Sequence, residues 1–146
     1  MRKTLSRHLV LGSLLMLVLS SNQFSHAQEK DTNLEDTNWQ LLNMKVLGGF
    51  LFTPRDPSQY RLNFRSENRL TGTSDCNTIT GSYFQESIGF RFDPFVSTRK
   101  LCPPGSLHNN LVLILKDANE IEFRDGKMYM TNGYNGVELE FEKRGF

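Results

Sequence analysis

Two cysteines, Cys76 and Cys102, and one histidine, His108, are the side chains here whose types invite chemistry; the other two histidines, His8 and His26, fall in an N-terminal leader. A cysteine and a histidine six residues apart suggest a thiolate–imidazole pair or part of a zinc site. A zinc site needs three or four ligands at workable spacing, and nothing near Cys102 and His108 completes the set. The dyad reading is weak as well, because Pro103 and Pro104 follow the cysteine directly and a disulfide would consume the thiol. Glu138, Glu140 and Glu142 alternate along one strand-like segment, which reads as a solvated face and not as paired catalytic carboxylates. There is no phosphate-binding glycine loop and no Gly-x-Ser-x-Gly elbow. The sequence therefore points away from an enzyme and names no metal and no cofactor.

The compartment changes what the cysteines mean. Arg2, Lys3 and Arg7 form a basic start, Leu9 to Leu19 is an apolar run of eleven residues, and "SHAQ" offers cleavage after Ala27. That is the pattern of a secretory signal peptide over 1–27. The run is short of the ~20 residues that span a bilayer, so no stable membrane span is expected after cleavage, with an uncleaved N-terminal anchor as the rival reading. Loss of Arg2, Lys3 and Arg7 takes the balance from 17 Lys+Arg against 16 Asp+Glu to 14 against 16. The exported chain is slightly acidic, which excludes an electrostatic nucleic-acid binder. A periplasmic or secreted location permits disulfides, so an even cysteine count invites a bridge, with two buried reduced thiols as the alternative. A bridge would close a loop worth about 3.5 kcal/mol on the chain-entropy account.

The elements that must position these residues are mostly strands. Residues 28–36, "QEKDTNLED", read as a flexible polar leader, and 37–146 as one domain. "NWQLLNMKVL" (38–47) reads as a first strand. "GGFLFTPRDPS" (48–58) reads as a loop whose Phe50 and Phe52 cap the core or line a ligand mouth. Tyr60, Leu62 and Phe64 share one face of a strand, as do Ile88, Phe90 and Phe92, and Val137, Leu139 and Phe141. "EIEFRDGKMYM" reads as strand, Asp-Gly turn, strand. One helix is expected over about 106–119, with Ser106 as N-cap and Leu107, Leu111, Leu115 and Ala118 on one stripe. Seven or eight short strands and one helix give an α+β, mostly β fold: a twisted antiparallel sheet curled into a partly open barrel with the helix packed on it.

The stretch "DCNTITGSYF" (75–84) sits oddly in such a sheet, because strands avoid glycine and have no need of Cys-Asn. With period two, Asn77, Ile79, Gly81 and Tyr83 face the core and Cys76 faces away. A buried Asn77 amide must find several partners, and Gly81 leaves room for a close approach. The proline-rich segment 94–105 is the natural source of both, with Cys102 reaching Cys76. Arg99, beside Ser97 and Thr98, has two readings: a guanidinium that pins this loop to carbonyls or Asp75, which is preferred, or a contact for an anion or partner.

"CNTITGSY" resembles the Cys-Asn-x-x-x-Gly-x-Tyr signature of the META domain family, which includes HslJ-like heat-shock proteins. "STRKLCP" (97–103) resembles its second block, Ser-Thr-Arg-x-x-Cys-Pro, and "NWQLL" and "VELEF" resemble its opening and closing segments. Asp75 stands where the family usually has Gly, and Lys100-Leu101 where it often has Met-Ala. The resemblance implies an exported domain with envelope or stress roles, paired cysteines at 76 and 102, and no established catalysis. It marks Asn77, Gly81, Tyr83, Ser97, Thr98 and Arg99 as motif residues. Two function classes follow: a monomeric binding module for an envelope protein, or a carrier of a hydrophobic small molecule or lipid in a barrel-like cavity, the latter by fold analogy alone.

Overall fold

Among the described residues the regular structure consists of ten strands, one α-helix and two short 3-10 turns. The computed structural model describes residues 33–86, 89–133 and 136–145, so the signal segment 1–27 lies outside the described residues, as does 28–32. In chain order the elements are β1 (Thr37–Lys45), β2 (Leu51–Phe52), β3 (Arg61–Arg65), β4 (Arg69–Thr73), β5 (Thr78–Glu86), β6 (Gly89–Phe92), β7 (Val96–Ser97), α1 (His108–Asp117), β8 (Glu120–Arg124), β9 (Lys127–Thr131) and β10 (Glu138–Arg144).

All pairings are antiparallel, in the order β6-β5-β4-β3-β1-β10-β9-β8. The two edges, β6 and β8, come close to each other without a hydrogen-bonded ladder. The sheet is thus a nearly closed barrel with an unsealed seam, in agreement with the fold class read from the sequence. Alternation does most of the specification. Leu62 and Phe64 of β3, Met128 and Met130 of β9, and Leu139 and Phe141 of β10 are buried, while their neighbours are only partly so. In β1 the register against β10 shifts between Leu41 and Asn43. That bulge lets both Leu41 and Met44 face inward, which strict period two forbids for residues three apart. Between β8 and β9, Asp125 and Gly126 both have positive φ, 51° and 74°, as a two-residue hairpin with a right-handed twist requires.

Aromatic rings fill the barrel beneath β3 to β6. Phe64 meets Tyr83 edge to face at 4.9 Å, and Phe90 meets Phe92 the same way at 4.7 Å. Helix α1 lays Leu111, Ile114 and Leu115 against this core, followed by Ala118 just past its end. The helix starts two residues later than the sequence suggests. Leu107 holds the cap position, and the Ser106 hydroxyl accepts from His108 N–H at 3.2 Å while the Tyr60 hydroxyl accepts from Leu107 N–H at 2.9 Å. Leu34 corrects the extent of the flexible leader: it is fully buried, and its N–H donates to Gln85 Oε1 at 3.2 Å. One apolar residue in a polar stretch was enough to bring the chain into the core before β1.

Candidate functional site

Strand β5 is long enough to serve two neighbours on one edge. Its C-terminal half pairs with β6 and its N-terminal half with β7, and the two registers differ by one residue, so the chain bulges between them at residues 93–95. The bulge packs Phe95 onto Gly81. A Cβ placed there would lie 2.4 Å from the Phe95 Cβ, so only glycine admits this close approach. Tyr83, two residues on, is buried at the edge of Phe64. The local need for Gly81 is therefore steric, while Tyr83 is a core ring.

Asn77 ties the loop that follows. Its Oδ1 accepts from the Thr98 hydroxyl at 2.7 Å and from Lys100 N–H at 2.8 Å, and its Nδ2 donates to Lys100 O at 3.1 Å. The side chain is 5% exposed, so these bonds replace water almost entirely. Beside it, Cys76 and Cys102 are joined with Cα atoms 5.2 Å apart, within the range a bridge requires. Thr98 returns a further bond by accepting from Thr78 N–H at 3.1 Å, and its own N–H donates to Thr78 O.

His108 closes the arrangement from below. Its Nδ1 lies 2.9 Å from the Ser74 hydroxyl and its Nε2 3.1 Å from the Ser97 hydroxyl. Each hydroxyl also reaches a backbone carbonyl, Ser97 that of Thr98 at 3.1 Å and Ser74 that of Asn77 at 3.2 Å, so the ring nitrogens join two hydroxyls already tied to the backbone. Burial pushes the imidazole pKa below its ordinary value of 6.5, and the nearby Asp75 carboxylate opposes this without reversing it. The ring is thus a neutral bridge between two strand ends. Its nitrogens are occupied, its neighbours are hydroxyls, and Cys102 is already bridged, so the geometry gives no nucleophile–base pair. Asp75 comes within ligand distance of the two sulfurs, but its Oδ1 accepts from the Ser106 hydroxyl at 2.7 Å and the sulfurs are bonded to each other.

Arg99 departs from the preferred expectation. It makes no hydrogen bond or ion pair among the described residues, is exposed, and leaves the pinning of the loop to Asn77 and Thr98. Instead it lines a half-open cleft of about 730 Å³ between the clamped loop and α1. The helix contributes Asn109, Val112 and Lys116, one stripe at spacings of three and four, while Leu111 and Leu115 face the core from the other side. Phe50 and Phe52 lie elsewhere. They are 68% and 40% exposed at the β1–β2 hairpin and do not border this cleft. Ser74, Ser106 and His108 were missed as motif residues, since their partners lie some thirty residues away and leave no local signal.

The META domain family model matches residues 32–145, nearly the whole described fold. The chain belongs to the META domain family. No curated protein matches it. Among solved structures, this META domain is similar to a protein from Burkholderia xenovorans, with 23% identity over 77% of this chain and 85% of that one, at a TM-score of 0.64. It is also similar to a DUF4847 family protein from Bacteroides vulgatus, with 10% identity over 73% of this chain and 92% of that one, at a TM-score of 0.56. At such identities the likeness concerns the fold, and the clamp on the META motif residues rests on the bonds of Asn77 and Thr98 and on the Cys76–Cys102 bridge.

Proposed function

We propose that this META domain is an exported, non-catalytic binding module of the cell envelope, and that its binding face is the cleft between the clamped loop and α1. The observation that carries this reading is the division of labour in the loop. Asn77, Thr98 and the Cys76–Cys102 bridge hold its backbone, while Arg99 and Leu101 project from it without partners; Leu101 is 99% exposed. A backbone fixed on one side and side chains left free on the other is the arrangement of a preorganised recognition loop. The bridge fits an oxidising compartment, and among the described residues no helix is long and apolar enough to cross a membrane. The carrier reading has less support, because the rings of Phe64, Tyr83, Phe90 and Phe92 occupy the barrel interior where a hydrophobic ligand would sit.

A photo-crosslinking side chain at Leu101, compared with one at the equally dispensable Leu113 on α1, tests the reading in intact cells. A discrete adduct in the envelope fraction from position 101 and none from 113 is expected. Adducts from 113 alone, or none from either site, would contradict it. N-terminal sequencing of the same material should begin at Gln28; retention of Met1 would remove the export claim.

A further inference from the structure

The cleft is lined by cations and by no carboxylate. Its cations are Arg99 and Lys100 on the loop wall and Lys116 on the helix wall. None of the three is in an ion pair among the described residues, whereas cations on the outer face of β8 to β10 are matched, Arg124 with Glu138 at 2.9 Å and Lys127 with Glu140 at 2.6 Å. Asp75 borders the adjoining hollows and is held by Ser106. An unmatched positive strip attracts carboxylates locally even though the exported form carries a small acidic excess.

Apolar groups interleave with the charges. Val96 is 71% exposed and Leu101 99%, both on the loop wall, and Val112 lies half-buried opposite. The cations stand on two walls and do not converge on one point, which suits an extended chain with several carboxylates better than a single phosphate. On the reading of the cleft as the binding face, we propose that its ligand is an acidic peptide segment that alternates carboxylate and apolar side chains, the carboxylates answering Arg99, Lys100 and Lys116 and the apolar groups covering Val96, Leu101 and Val112.

The test uses the isotope-labelled chain from Gln28, which keeps the whole buried core from Leu34 to Phe141. Three probes are titrated: a ten-residue peptide of alternating glutamate and valine, the same peptide with glutamine for glutamate, and inorganic phosphate. The glutamate peptide should shift the amide signals of Arg99, Lys100 and Lys116, and its affinity should fall about tenfold or more between 20 and 200 mM salt as screening shortens. Arg99→Glu with Lys116→Glu should weaken it by at least about tenfold at an unchanged thermal midpoint, and Arg99→Lys with Lys116→Arg should restore most of it. Equal binding of the glutamine peptide at the same residues would overturn the acidic ligand while leaving the cleft as the binding face. Phosphate alone producing the same shifts at the same concentration would replace the peptide with a simple anion site. Shifts confined to other surfaces, or none with any probe, would defeat the cleft itself.

Discussion

Two irregular segments of this domain, 46–52 and 94–105, play similar parts in the chain and behave differently. Both interrupt a strand pattern with glycine or proline, and both contribute a two-residue strand, β2 and β7. The first is a hairpin held mainly by its own backbone: Val46 N–H donates to Phe50 O at 2.9 Å and Gly49 N–H to Val46 O at 3.0 Å. Its Leu47, Phe50 and Leu51 side chains are each more than 60% exposed. The second is held from outside by a buried amide, a hydroxyl and a disulfide. Local hydrogen bonds give the hairpin a shape, while tertiary bonds give the loop a fixed position relative to α1. Only the second arrangement builds a cleft with two defined walls.

Removing the bridge should break the contrast most strongly. Cys76→Ala with Cys102→Ala is expected to lower stability by about 2–5 kcal/mol in chemical denaturation. Asn77→Ala should cost about 1–3 kcal/mol, because Lys100 N–H and O and the Thr98 hydroxyl lose their buried partner. If Asn77→Ala were neutral, the loop would need no clamp beyond the bridge.

Acidification sharpens the comparison further. The folded pKa of His108 lies below 6.5, so the unfolded chain takes up the proton first as the pH falls. The contribution is fully present above 6.5 and is lost as the pH drops from there towards the lowered folded value. Compared with His108→Gln, the wild type should therefore lose more stability below pH 6.5, read as the difference between the two denaturation midpoints across pH. A parallel pH dependence of the two proteins would mean that the imidazole does not bridge Ser74 and Ser97 as a neutral ring. The smallest effect belongs to the hairpin: Phe50→Ser should change stability by no more than about 0.5 kcal/mol in either direction, since its ring packs little. A loss comparable to that of Asn77→Ala would mean the hairpin is part of the core.

What was legible in the sequence followed physical rules of short range. Alternation exposed the inward faces of β3 and β10, and Asp125-Gly126 announced its hairpin because few other pairs tolerate two positive φ values. The helix stripe at Leu111, Leu115 and Ala118 was equally plain, though its start was not, since Tyr60 and Ser106 satisfy its first N–H groups from outside the cap position. The strands β2 and β7 were invisible because two rungs on a longer neighbour make them, and no two-residue sequence encodes that. The partner of the Leu34 N–H, Gln85, lies fifty-one residues on, so nothing local announces that this residue enters the core. Within the site, Gly81 and Asn77 could be singled out because a glycine and a buried amide are costly in a strand without a reason. The freedom of Arg99 could not be seen, because it depends on Asn77 having already satisfied the loop.

Asn77 fixes the loop from which the cleft is built, and the Lys100 amide reports on it directly. Its N–H donates to Asn77 Oδ1 at 2.8 Å, and Lys100 itself is an exposed residue with no ladder partner to protect it. Amide hydrogen exchange followed by NMR should show Lys100 protected in the wild type and exchanging freely in Asn77→Ala, with β10 amides unchanged in both. A Lys100 amide that exchanges in the wild type as fast as that of Leu47 in the hairpin, or that stays protected in Asn77→Ala, would contradict the account.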